Sequence, residues 1–214
     1  MKIILAKSAG FCFGVRRAVE LTEQTAAKVA ESGGAAKVFT FGELIHNRDV
    51  VNRLREAGIA PIEALNEAQC GDYVIIRSHG VPKKIYEELE TRGINFIDAT
   101  CPFVSNIHRI VSAAYERGEQ VFIVGNPEHP ETIGINGHCG NSAIFIRSEE
   151  ELRKLEGRSG CLVVQTTFDS ETFAAMQRVI EREYPRIRVF NSICSTTFER
   201  QREAEELSLS LIHI

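Results

Sequence analysis

The 214-residue sequence contains no apolar run near the roughly 18–20 residues that span a bilayer, so no membrane helix is expected. It has no basic tract either. Its 25 Lys and Arg against 29 Asp and Glu give a net charge of −4, with both signs mixed along the chain, which argues against nucleic acid as a partner. The apolar run at the N-terminus is about four residues long, short of the roughly 7–15 of a secretory signal. Lys2–Ala6 reads instead as a buried first strand, and a cytoplasmic protein is expected. Six cysteines are present but none forms a C-x-x-C pair, so neither a paired-thiol zinc site nor a disulfide framework is expected. A G-x-G-x-x-G following a strand is also lacking, which removes the usual nicotinamide site.

What is present is an alternation of short apolar runs and helical patterns. Val38–Gly42, Tyr73–Arg77, Asn95–Thr100, Gln120–Asn126, Ala143–Arg147, Cys161–Thr167 and Arg186–Ser192 are rich in Val, Ile and Phe, as strands buried on both faces of a parallel sheet are. Between them lie helical patterns at Val15–Ser32, Asn47–Ala57, Pro82–Arg92, Pro102–Arg117, Ser170–Tyr184 and Ser195–Leu207, several opened by proline and closed by glycine. Ser148 and Glu151 have the spacing of a capping box for a further helix ending near Gly157. The fold class is α/β, in repeated units with small, mostly parallel sheets.

Cys12, Cys101 and Cys194 each fall between a strand pattern and a helix pattern, separated by 89 and 93 positions. A near-constant period suggests repeated units around a common centre. The expected division is a first α/β unit at 1–97, a second at 98–193, and the opening of a third at 194–214. The same period calls for roughly 90 residues after Cys194, so the chain is expected to be an incomplete form whose third unit stops in its first helix. Leu209–Ile214, apolar and uncapped, reads as a non-native tail.

Ligands of open parallel sheets bind at the carboxyl ends of the strands. Cys12, His46, Ser78-His79-Gly80, Cys101, His129, Glu131, Thr166, Thr167 and Cys194 all fall at such places. A lone loop histidine or cysteine is ordinarily solvated or packed, but this concentration points to a site. Three thiolates from separate loops do not suit structural zinc. They suit a [4Fe–4S] cluster, which four thiolates normally hold, with one iron left open for substrate. Three grouped histidines, cationic near neutral pH, would suit an anion such as a phosphate. Glu131, shielded, could hold a raised pKa and deliver protons, or simply cap the helix beginning near Pro130. Cys70, Cys139, Cys161, His108 and His138 are read as structural.

In order along the chain, GFCFGV, GELIHN, SHGV, DATCPFV, HPE, QTTF and ICSTT resemble the motifs of the LytB (IspH) family of 4-hydroxy-3-methylbut-2-enyl diphosphate reductases, up to about Leu207. The resemblance implies an iron–sulfur oxidoreductase of isoprenoid biosynthesis, in the methylerythritol phosphate pathway, built as a trefoil of three units around the cluster. It implies Cys12, Cys101 and Cys194 as metal ligands, His46, His79 and His129 as diphosphate-pocket residues, Glu131 as the proton-delivering acid and Thr166 as its partner. It also implies a ferredoxin- or flavodoxin-like electron donor, and reductive dehydration to isopentenyl and dimethylallyl diphosphate. The family's Ser-x-Asn-type segment and further serine of the third unit do not occur in these residues. Two other classes fit a three-cysteine cluster: a hydro-lyase, which needs no reductant, and a redox sensor, which needs no anion pocket.

Overall fold

The computed structural model describes residues 3–33 and 35–212, with side chains described through 209. Its elements run in a repeated order. Helix α1 (Phe13–Glu31) leads into β1 (Val38–Phe41), α2 (Arg48–Glu56), β2 (Ala60–Ile62), a short 3-10 turn, β3 (Tyr73–Ile76), α3 (Lys83–Thr91) and β4 (Asn95–Asp98). The same succession follows as α4 (Pro102–Glu116), β5 (Gln120–Val124), α5 (Pro130–Gly137), β6 (Ile144–Ile146), a 3-10 segment, β7 (Gly160–Val164), α6 (Ser170–Glu183) and β8 (Ile187–Phe190). Helix α7 (Ser195–Ile212) then stands where α1 and α4 stood.

Each set of four strands makes one all-parallel sheet, ordered β2-β1-β3-β4 and β6-β5-β7-β8. The central strands are the apolar runs: Val74, Ile75 and Ile76 of β3, and Val121 to Val124 of β5, are wholly buried. Apolar clusters fill both faces, Ala18, Val50, Leu54 and Ile75 on one side of the first sheet and Val74, Ile76, Val81 and Leu89 on the other. Helix α4 packs Ile107, Val111 and Ala114 against Val121, Ile123 and Val163, so it belongs to the second sheet while starting at the end of the first.

Three expectations are corrected here. Ile3–Ala6 is not a strand, and Ile3 and Leu5 are each 81% exposed; Lys2 lies outside the described residues. The edges of the first sheet are β2 and β4, and the N-terminal segment is bound to α7 instead. Strand β2 was not read from the sequence because it is three residues long and contains Pro61; proline is tolerated in an edge strand, where one side needs no N–H. Ser148 does not cap: Glu149–Leu155 is a 3-10 helix, and Glu151 accepts from the Arg147 backbone and side chain and from Lys154. Helix α7 also continues past Leu207 to Ile212; residues 213–214 of the expected tail lie outside the described residues.

Candidate active site

In each sheet the two central strands send their following helices in opposite directions, which opens a crevice at their carboxyl ends. The loops after β1 and β3 carry His46 and His79, and those after β5 and β7 carry His129 and Thr166. His46 and His129, each five residues past their strand, occupy equivalent positions of the repeat, and His79 and Thr166 sit in equivalent loops. The backbone links each β3- or β7-type loop to a cysteine in the same way. The Cys101 amide donates to the Ser78 carbonyl and the Cys194 amide to the Thr166 carbonyl, both at 2.9 Å.

The three cysteines meet. Cys12, Cys101 and Cys194 line one cavity of about 210 Å³, together with His79, Glu131, Thr166 and Thr167. Each thiol sits at the start of a helix: Cys12 and Cys101 are the N-cap residues of α1 and α4, and Cys194 directly precedes α7. Helix N-termini favour thiolates. At Cys101, burial pushes the thiol pKa up, the amides of Phe103 and Val104 pull it back, and Cys194 and Cys12 push it up again. Gly14 makes room for this approach, since a β-carbon there would lie 2.6 Å from the Cys101 sulfur.

Glu131 lies within the same cavity, 1% exposed. Its carboxylate accepts from the Thr166 amide at 2.7 Å and from the Thr166 hydroxyl at 2.6 Å. Burial raises its pKa and the two Thr166 bonds offset part of that rise, leaving it above the ordinary carboxylate range. It does not cap α5. That role falls to His129, whose Nδ1 accepts from the Glu131 amide at 3.1 Å.

The three histidines form a second cluster beside the first. Their ring centroids are 4.6 Å apart for His46 and His79, 5.6 Å for His79 and His129, and 5.9 Å for His46 and His129. His79 joins the two clusters, facing the cysteine cavity and also an adjoining hollow lined by His46 and Asn47. The expectation of cationic histidines is corrected at two of the three. Burial, then His46, His129 and Arg77, depress His79 to about 3, and burial, His46 and Arg77 lower His129, so that the neutral imidazole is favoured at both. A metal ion is a poorer fit: the cap bond commits Nδ1 of His129 as acceptor, so its proton rests on Nε2 and neither nitrogen offers a free lone pair. Nδ1 of His79 is buried without a partner.

Thr196, Thr197 and Arg200 of α7 also line the cysteine cavity; the two threonines fall within the ICSTT motif, while nothing in the sequence marks Arg200. Thr167 is exposed and receives a bond from Gln165. Cys139 and Cys161 are buried in the core and Cys70 is exposed, and none of the three borders the cavity. His108 and His138 stack at 4.0 Å behind the 78–81 loop, with His138 bonded to the Val81 carbonyl at 3.1 Å.

Sheets of this order, with cysteines at successive helix starts around one cavity, define an α/β protein with a shared central site. The family model described as LytB protein matches residues 3–213, and the chain belongs to that family. It is 40% identical over 209 residues to the 4-hydroxy-3-methylbut-2-enyl diphosphate reductase of Alkaliphilus oremlandii, spanning 97% of this chain and 73% of that protein. It is 45% identical over 208 residues to the enzyme of the same name from Clostridium perfringens, spanning 96% and 72%. Among solved structures, an (E)-4-hydroxy-3-methyl-but-2-enyl diphosphate reductase superposes with a TM-score of 0.78 at 38% identity, over 96% of this chain and 72% of that one. The Plasmodium falciparum reductase superposes with a TM-score of 0.81 at 27% identity, over 90% and 61%.

Proposed function

We propose that this protein reduces 4-hydroxy-3-methylbut-2-enyl diphosphate to isopentenyl and dimethylallyl diphosphate. The reaction breaks the C–O bond to the hydroxyl, forms one C–H bond, consumes two electrons and two protons, and releases water. The observation that carries the reading is the single cavity in which three cysteines face the Glu131–Thr166 pair, with the histidine cluster at its side.

The donor set fits a [4Fe–4S] cluster. Three sulfurs border the cavity without a fourth cysteine, and Gly14 keeps its Cys101 side clear. Cys12, Cys101 and Cys194 would hold it. Such a cluster supplies one-electron transfer and, at an iron without a thiolate, Lewis acidity. The chain's own residues do the rest. His46, His79 and His129 receive the diphosphate, His129 donating through its Nε2–H. That desolvated, charge-assisted contact fixes the allylic end in the neighbouring cavity. Glu131, whose pKa burial raises, is the acid, and the Thr166 hydroxyl, 2.6 Å from its carboxyl oxygen, passes the proton toward the substrate hydroxyl. Electrons come from a ferredoxin- or flavodoxin-like donor. No described helix is long and apolar enough to cross a membrane, and a cytoplasmic setting is part of the same proposal. Its unit division is 1–97, 98–193 and 194–214.

The test is anaerobic incubation of the reconstituted protein with the substrate and a low-potential one-electron reductant, with products read by mass. Isoprenyl diphosphates formed only when reductant is present support the reading. Dehydration without reductant would replace it with a hydro-lyase.

A further inference from the structure

Cys101 and Cys194 are fastened to the sheets through their own amides, by way of Ser78 and Thr166. Cys12 has no such fastening. Among the described residues no strand precedes it, and its amide has no backbone acceptor. Its place must be fixed by other means. Two sets of contacts reach the segment that carries it. From α7, the Glu203 carboxylate accepts from the Lys7 amide at 2.6 Å, from the Ser8 amide at 2.8 Å and from the Ser8 hydroxyl. One turn earlier, the Arg200 guanidinium donates to the Gly10 carbonyl. From α1, Arg17 donates to the carbonyls of Thr100 and Asp98, at 3.2 and 3.3 Å, directly before Cys101. Helix α7 is itself pinned to α6, where Ser170 donates to Gln201 at 2.8 Å.

We infer that Glu203 and Arg17 are positioning residues that close the ring of cysteine segments: Glu203 ties the Cys12 segment to the Cys194 helix, and Arg17 ties it to the Cys101 turn. Neither side chain borders the cavity. The helix that begins with one cysteine thus holds the strandless segment of another. A carboxylate suits the Glu203 position because three donors converge on it, which one ionised group satisfies and a neutral side chain of similar size does not. The inference rests on the cluster reading for its consequence and on the hydrogen bonds for its geometry.

Hydrogen exchange separates the two. In metal-free Glu203→Ala, amides 7–9 should exchange about tenfold faster, the effect of losing a charge-assisted bond, while β1, β3, β5 and β7 keep their protection. After anaerobic reconstitution the variant should retain less than half the iron of the parent protein, and Glu203→Asp should recover part of it. If Glu203→Ala does not fold, Ser8→Ala, which removes one of the three bonds, should give an intermediate acceleration confined to the same amides. Unchanged exchange at 7–9 in the folded variants overturns the inference. A parent protein that takes up no iron overturns the cluster reading instead and leaves the exchange result to judge the clasp.

Discussion

Two buried ionisable groups set the pH behaviour of single residues. Glu131 has a pKa above its unfolded value. Its protonated form is therefore favoured by the fold, that contribution is complete below the unfolded pKa, and it is lost as pH rises through the folded one. Glu131→Gln removes the ionisation, so the variant should melt higher than the parent at pH 8 and match it near pH 4. It should also lose about 10²–10⁴-fold in turnover, the usual share of a general acid. Turnover near normal would reassign the proton donor. His108 is depressed to about 3 by burial and then by His138. For a base the sign is opposite: the neutral form is the folded one, stability is complete above the unfolded pKa, and it falls as pH drops toward 3. Urea midpoints should fall between pH 7.5 and 5, and His108→Leu should lower that slope by about one proton, with little cost at pH 7.5 because Nε2 has no partner to lose. A slope unchanged by the substitution would contradict the buried neutral state.

At the scale of elements, legibility followed burial. The strand patterns at Tyr73–Arg77 and Gln120–Asn126 lie at sheet centres, where 74–76 and 121–124 are wholly buried and continuous hydrophobicity is a sound signal. The same signal misled at Ile3–Ala6, an apolar run that lies outside both sheets. The β-α-β period was legible only through the cysteines, because the repeated units share element order rather than residues. Glu131 borders the cysteine cavity, and the cap at its helix start is not legible in the sequence: it is an imidazole, and sequence cap rules rank Ser, Thr, Asp and Asn. The cationic reading fails at His79 and His129 because spacing along the chain says nothing of the burial that lowers their pKa values. One element-level consequence concerns the approach of α1 to α4. Gly14→Ala would put a methyl group 2.6 Å from the Cys101 sulfur. The helix itself should gain from alanine, so the expected outcome is unchanged or higher helicity by circular dichroism with reduced iron retention. Full iron retention would show that the thiol can move aside at no cost.

For the molecule as a whole, the repeat explains how residues far apart in sequence form one site. Successive units present the same two crevice loops and the same helix start, so histidines, the Glu131–Thr166 pair and cysteines arrive from equivalent places. The chain spans 72–73% of the length of the bacterial relatives compared above, and all of the candidate residues fall in the shared part. The central claim is that three cysteines, and no others, hold the cofactor. The direct measurement is iron and sulfide per chain after anaerobic reconstitution of the parent protein and of single serine variants. The parent should retain about four of each. Cys12→Ser, Cys101→Ser and Cys194→Ser should each retain markedly less, while exposed Cys70→Ser should match the parent. Full occupancy in any of the first three, or loss in Cys70→Ser, would contradict the account.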